Sequence, residues 1–169
     1  YTITRSIPYD RGTTSMACFP MCPECLAEYE NPLDRRFHAQ PNACPVCGPR
    51  LWLTDRDGRT LSENDAAVRE TAGLLAAGRI AAMKGLGGFH LACDARRQEA
   101  VALLRERKNR RDKPLAIMVR DLDAARAVCE LSAAEERLLT GRQRPIVLAR
   151  GRRGAGLAPG LSPDTEFLG

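Results

Sequence analysis

Apolar positions follow two different patterns along this chain. Through residue 55 they come singly or in pairs among prolines, glycines and charges, and only residues 1–5 and 51–54 alternate as short strands do. Between them, residues 31–38 read as a turn followed by a short extended piece. Residues 55–59 (Asp-Arg-Asp-Gly-Arg) form a polar turn and the expected domain boundary. From residue 60 the spacing becomes helical and then runs together. Ser62 and Asp65 suggest a capping box, and Val68, Ala72 and Leu75 make a stripe that Gly78 ends. Residues 80–84 predict a short buried strand before the glycine loop at 85–88. Asp94 suits the cap of a second helix with Val101 and Leu104 facing inward and residues 105–111 lining its exposed end. Residues 115–119 and 145–149 predict two further strands, Asp121 and the Ser132/Glu135 pair cap two short helices between them, and the glycine-rich, basic residues 151–160 predict a mobile loop.

This order of strands and helices predicts an α+β chain. A small module spans residues 1–58, and a sheet domain spans 59–169. The ends shape a further expectation. The chain starts without methionine in mid-alternation and stops at Leu168 and Gly169 as a loop approaches another element, which predicts a fragment of a longer protein. The strand at 1–5 would also suit the place of residues 49–54 after an earlier finger, so residues 1–16 are expected to trail a preceding zinc module.

Composition narrows the class. Of 169 residues, 26 are basic and 21 acidic, and the formal charge of +5 favours anionic partners such as phosphates, nucleotides or RNA. A hydrophobic fraction of 44% supports a real core, and an aromatic fraction of 5% predicts that Ala, Leu, Val and Ile build it. No apolar run approaches 18 residues and no leader pattern is present, so no membrane is expected and the setting is expected to be cytoplasmic and reducing.

Seven cysteines carry the clearest chemistry. Cys22 and Cys25, then Cys44 and Cys47, form a C-x2-C, x18, C-x2-C array, the spacing of a structural zinc site with four thiolates and no position left for water. Pro23 and Pro45 stiffen the two knuckles, and Gly48 is expected in the left-handed conformation after its ligand. Two disulfides are the competing arrangement, and nothing else in the chain points to an oxidising compartment. Cys18 is read as a packing residue or a substitute ligand. Cys93 and Cys129 sit in apolar stretches as small buried hydrophobes, with His90 the one histidine near enough in sequence to activate Cys93. Two loops could meet phosphate. Gly85, Leu86, Gly87 and Gly88 follow a strand without the lysine and hydroxyl of a Walker A loop, and they also suit a plain tight turn. Residues 108–114 (Lys-Asn-Arg-Arg-Asp-Lys-Pro) read as a polyphosphate clamp or as a solvated basic helix end.

Three blocks together reach a family. Residues 19–25 (Phe-Pro-Met-Cys-Pro-Glu-Cys), 34–41 (Asp-Arg-Arg-Phe-His-Ala-Gln-Pro) and 44–49 (Cys-Pro-Val-Cys-Gly-Pro) resemble the second zinc finger of the HypF family. Residues 84–95, with Lys84, Gly85 and His90 through Ala95, and residues 107–118 resemble the start of the YrdC-like domain that follows it. The resemblance covers essentially the whole chain. It implies a four-cysteine zinc finger beside a partial YrdC-like α/β sheet domain. It also implies a carbamoyltransferase for [NiFe]-hydrogenase maturation, which makes carbamoyl-adenylate from ATP and carbamate derived from carbamoyl phosphate, with Mg2+ on the phosphates. The carbamoyl group then passes to the C-terminal cysteine of a HypE-like acceptor. By position, Lys108, Arg110 and Lys113 match the family's triphosphate segment, Lys84 and His90 match the wall of the nucleotide and carbamate site, and Arg144 is a weaker candidate. His38 matches the finger block in a structural role. No side-chain nucleophile is expected. The acylphosphatase domain, the first finger's ligands, a later Ser-Ala-Asn segment and the transfer domain are absent from these residues, so the fragment alone is expected to be incomplete as an enzyme. Alternatives are a YrdC-type threonylcarbamoyl-adenylate synthase, which generally lacks a zinc module, and a zinc-dependent module binding RNA or protein, for which weak double-stranded RNA affinity is implied.

Overall fold

The computed structural model describes residues 2–85 and 87–169; Tyr1, at the head of the expected first strand, and Leu86, in the glycine loop, lie outside the described residues. The chain forms two compact units, Tyr1–Glu70 and Thr71–Gly169.

In the first unit the expected strand at 1–5 is reduced to a bridge between Thr4 and Thr14. Two 3-10 turns follow, Arg11–Thr13 and Ser15–Cys18, capped by the side chains of Asp10 and Thr14. Helix α1, Pro23–Glu30, was not expected. Cys22 is its N-cap and Pro23 its first residue, a place where proline loses no hydrogen bond, so the first knuckle is the start of a helix. Residues 31–38 are turns without an extended piece. Strand β1, Trp52–Thr54, lies where alternation put it, and residues 55–59 form the expected polar turn. They close a hairpin onto β2, Thr60–Glu63, which pairs antiparallel with β1. Ser62 therefore sits in a strand, its hydroxyl donating to Glu70 at 2.6 Å, and the expected capping box does not form. Helix α2, Asn64–Ala76, begins one residue later than that box implied, at an Asn64 with φ of 51°, and the division between the units falls within it. Gly78 ends it with φ of 83°. The amides of Gly78 and Arg79 return to the carbonyls of Leu75 and Leu74, a closure that favours glycine.

In the second unit β3, Ala81–Gly85, pairs with β4, Gly88–Ala92, as an antiparallel two-stranded ribbon. The glycine loop is thus the turn of a hairpin. The ribbon is not the buried strand expected, since Met83, Phe89 and Leu91 are exposed; two strands have no third layer to cover both faces. Helix α3, Gln98–Arg107, has Arg97 at its N-cap, while Asp94 closes the preceding turn by accepting from the Arg96 amide. Asp121 does cap α4, Leu122–Val128, and Ser132 with Glu135 forms the expected capping box of α5, Ala133–Thr140. Residues 115–119 form no named strand; among the described residues they pair through the amides of Leu115 and Ile117, which donate to Leu161 and Gly169. The expected strand at 145–149 is displaced to β6, Ala149–Gly151, the centre of a three-stranded antiparallel sheet between β5, Cys129–Glu130, and β7, Phe167–Leu168.

The core of this unit is one continuous patch. Val101, Ala158 and Leu161 form one buried cluster and Val128, Cys129 and Ala149 another, with Ile117, Leu157 and Leu168 packed against both. The segment at 151–160 is therefore anchored at its far end instead of mobile throughout: Ala158 is buried and its amide donates to the Ala95 carbonyl. Leu104 is 5% exposed on α3, so Leu104→Ala is expected to cost about 3 kcal/mol in urea unfolding. The caps carry a pH signature. The Ala124 amide and Arg120 hold the Asp121 carboxyl low, Ser132 does so for Glu135, and Arg126 for Glu136. A carboxylate depressed in the fold binds fewer protons than in the unfolded chain, so its contribution is present above the ordinary carboxylate range and is lost as pH falls through it. The urea midpoint should stay level from pH 7 to about 5 and drop below about pH 4, less so in high salt. Among the described residues no helix is long and apolar enough to cross a membrane.

Candidate metal centre and basic segment

Helix α1 presents the first pair of thiols, with Cys22 at its cap and buried Cys25 in its first turn, and the Leu26 amide donates to the Cys22 carbonyl. The second knuckle is a non-helical turn in which the Gly48 amide donates to the Cys44 carbonyl at 2.8 Å. Gly48 is needed for space and not, as the spacing suggested, for a left-handed φ. A Cβ there would lie 2.9 Å from both the Ala43 Cβ and the Cys44 carbonyl oxygen. Gly48→Ala is expected to loosen the knuckle and weaken metal affinity about tenfold, measured by competition with a chromophoric chelator.

All four sulfurs lie within 4.8 Å of one another. Cys22 Sγ is 3.6 Å from Cys44 Sγ, and Cys44 Sγ is 3.8 Å from Cys47 Sγ. A tetrahedron with Zn–S bonds of about 2.3 Å has S···S edges of about 3.8 Å, whereas a disulfide needs about 2.05 Å. The residues fit zinc, and all seven cysteines are free thiols. The amide of Val46 donates to Cys44 Sγ at 3.4 Å. Backbone N–H groups of Cys47 and Val46 hold the Cys44 thiol low, and those of Cys44 and Cys22 bring Cys47 to about 6. Burial first, then hydrogen bonds from Cys47, Cys22 and Cys44, pushes Cys25 up. Protein dipoles thus favour the thiolate form on the second knuckle, and a soft divalent cation would displace the proton of Cys25. With four protein ligands the site holds the fold and leaves no position for substrate.

What braces the centre was not legible from spacing. Arg11 Nη1 donates to the carbonyls of Gln40 and Asn42, both at 2.7 Å, and Nη2 to that of Phe19 at 2.6 Å. Asn42, 6% exposed, donates in turn to the Cys25 carbonyl at 2.9 Å. Through Arg11, the segment ahead of the first knuckle is therefore bonded to this finger. The block at 34–41 is structural as expected. Arg36 pairs with Glu28 on α1, the Tyr29 hydroxyl donates to Gln40, and His38 packs its ring against Tyr29 and Phe37. Arg11→Ala strands three carbonyls and is expected to cost roughly 3 kcal/mol, read from urea unfolding of the zinc-loaded chain. Cys18 is exposed and stands outside the cluster, its thiol on the Ser15 carbonyl, so it is neither ligand nor packing residue.

In the second unit the expected residues fall into two groups. Lys84 and His90 lie on the β3–β4 ribbon but on opposite faces, because Lys84 pairs with Phe89 and His90 with Met83. The Lys84 ammonium lies 5.3 Å from the Phe89 ring centre, and the His90 ring covers Gly85, where a Cβ would meet it at 3.0 Å. Lys108, Arg110 and Lys113 share the segment after α3. Lys108 is the C-cap and Asn109, with φ of 47°, turns the chain back over the helix end. Lys108 and Lys113 are exposed, whereas Arg110 is half-buried with Nη2 on the Pro114 carbonyl at 2.6 Å and Nε on that of Lys113 at 3.2 Å. Among the described residues no hydrogen bond or ion pair joins this segment to the ribbon. Arg144 is exposed in a separate turn, with φ of 42°. Cys93 is raised by burial and by Asp94, and Cys129 is raised by burial; both pack in the core, which suits inert thiols.

Two family profiles match the chain: the HypF finger over residues 21–54, and the Sua5/YciO/YrdC family ("Telomere recombination") over residues 73–169. Carbamoyltransferase HypF of Rhodobacter capsulatus is 54% identical over 96% of the chain and 22% of its own length, and carbamoyltransferase HypF2 of Cupriavidus necator is 53% identical over 95% and 20%. A crystal structure of full-length HypF in a phosphate- and nucleotide-bound form superposes with a TM-score of 0.81 at 46% identity, covering 99% of the chain and 21% of its own. The structure of T. kodakarensis HypF does so with a TM-score of 0.84 at 44% identity, covering 99% and 22%. The chain spans about a fifth of the length of these relatives. It belongs to the HypF carbamoyltransferase family, of which it carries the HypF finger and a Sua5/YciO/YrdC-family domain.

Proposed function

We propose that the second unit supplies part of the site at which ATP and carbamate, derived from carbamoyl phosphate, become carbamoyl-adenylate, and that the finger is a zinc-held structural module. The observation that carries this reading is the basic segment. Two exposed ammonium groups, Lys108 and Lys113, stand on a turn whose backbone carbonyls are taken up from behind by arginine side chains. The relatives' carbamoyltransferase activity and the nucleotide bound by a similar full-length protein agree with it. In the reaction a carbamate oxygen attacks the α-phosphorus and pyrophosphate departs, so negative charge spreads over oxygens that lysines and Mg2+ brought with the nucleotide would balance. Lys108 and Lys113 hold the leaving phosphates, the ribbon face that carries Lys84 walls the nucleotide and carbamate, and no residue of this chain acts as a nucleophile. The carbamoyl group then goes to the C-terminal cysteine of a HypE-like acceptor in [NiFe]-hydrogenase maturation.

A chimera tests this reading. The R. capsulatus HypF, with its matching segment replaced by this chain, is expected to catalyse carbamoyl-phosphate-dependent ATP–pyrophosphate exchange, and to lose it with Lys108→Ala and Lys113→Ala together. Exchange that survives the double change, or salt-sensitive retention of double-stranded RNA without any exchange, would overturn the proposal in favour of a binding module.

A further inference from the structure

The basic segment is held from behind by one side chain that spacing alone did not single out. Arg105, half-buried on the last turn of α3, directs its guanidinium at five backbone carbonyls in two separate segments. Nη1 donates to Arg110 at 2.9 Å, Arg111 at 3.0 Å and Lys113 at 3.2 Å; Nη2 donates to Leu161 at 3.0 Å, and Nε to Gly160. The 3-10 turn it reaches, Pro159–Leu161, is itself fixed. The Gly160 amide donates to Gln98 Oε1 at 3.0 Å, Leu161 is buried, and the Leu115 amide donates to the Leu161 carbonyl.

We propose that Arg105 is a positioning residue: it sets the shape in which residues 108–113 face phosphate and couples that segment to the Pro159–Leu161 turn. The proposal rests on the reading of this segment as a nucleotide clamp. Three carbonyls that would otherwise repel an anion are turned toward a fixed cation, while the amides of Arg111, Asp112 and Lys113 make no hydrogen bond among the described residues. A loop with its acceptors occupied and its donors open is preorganised for an anion before the anion arrives. Only a planar guanidinium has donors spread widely enough to serve both segments at once; an ammonium at the same place keeps the charge but not the fork.

Arg105→Lys therefore separates geometry from charge. In the zinc-loaded chain it should leave the far-ultraviolet spectrum unchanged, raise amide exchange at Asn109 and Arg110, whose amides are bonded to Glu106 and Arg105, and weaken MgATP binding about tenfold or more. A merely structural role would lower the melting temperature while the folded fraction bound MgATP as tightly as wild type. If the variant does not fold, wild type alone decides: MgATP should slow exchange at 109–114 and also at 159–161, and protection confined to 109–114 sinks the coupling. Unchanged exchange at Asn109 and Arg110 in the folded variant without nucleotide overturns the positioning role whatever ATP does. A wild-type chain that binds no MgATP overturns the clamp and the proposal together.

Discussion

Removing zinc should unfold the first unit and spare the second. At neutral pH a chelator, or Cys25→Ser, is expected to abolish the helical signal of residues 23–30 and shift the fluorescence of Trp52, which lines the same groove as Cys22 and Cys47. The size of the effect follows from what else holds this unit. Among its described residues only Thr14, Met16, Cys25, Gln40, Asn42, Gly48 and Ala67 are buried, too little apolar surface to fold a segment of this length. Apparent zinc binding energies in finger peptides of roughly 10–16 kcal/mol exceed anything such contacts supply. Titration should show one zinc per chain, released progressively as acid protonates the thiolates. Amide exchange should remain slow at Val101 and Leu104, whose core contains no ligand. A first unit that kept its helix without metal would show that Arg11, Asn42 and the aromatic contacts suffice.

The second large effect is expected at the basic segment. Replacing Lys108 and Lys113 by alanine removes two exposed ammonium groups without touching the core or the arginines that brace the turn. A charge-assisted contact is worth about 1.5–3 kcal/mol, so the pair should cost between about one hundredfold and about twenty-thousandfold in MgATP affinity. The wild-type affinity should itself fall with ionic strength, because such contacts are screened. Melting temperature should barely change. The complementary Lys84→Ala is expected to have a smaller effect, since its ammonium rests against Phe89 on an exposed ribbon.

How much of this was legible in the sequence depended on how local the cause was. The caps at Asp121 and Ser132, the glycine that closes α2 and the four thiols are set by neighbours within a few residues, and each stands where its pattern put it. Patterns failed where a distant partner decided. Ser62 resembled a cap, but pairing between Leu53 and Ser62 made it a strand residue. Residues 115–119 have the composition of a strand, yet among the described residues only two of their amides find partners, on Leu161 and Gly169. Helix α1 was hidden because its eight residues hold a metal knuckle, and Pro23 reads as a breaker until its place at the first turn is known. Arg11 and Arg105 carry no local signal at all. They reach carbonyls 29 and 55 residues away, which only the folded chain brings within their range.

If the thiols hold structure and the basic segment meets phosphate, the two roles must separate in a single experiment. That experiment is calorimetric titration of MgATP into the zinc-loaded chain, beside the Lys108→Ala, Lys113→Ala variant with its zinc content measured. The prediction is a saturable heat for the wild type, its loss in the variant, and one zinc per chain in both. Equal heats in the two proteins, or a variant that loses zinc along with nucleotide, would contradict it.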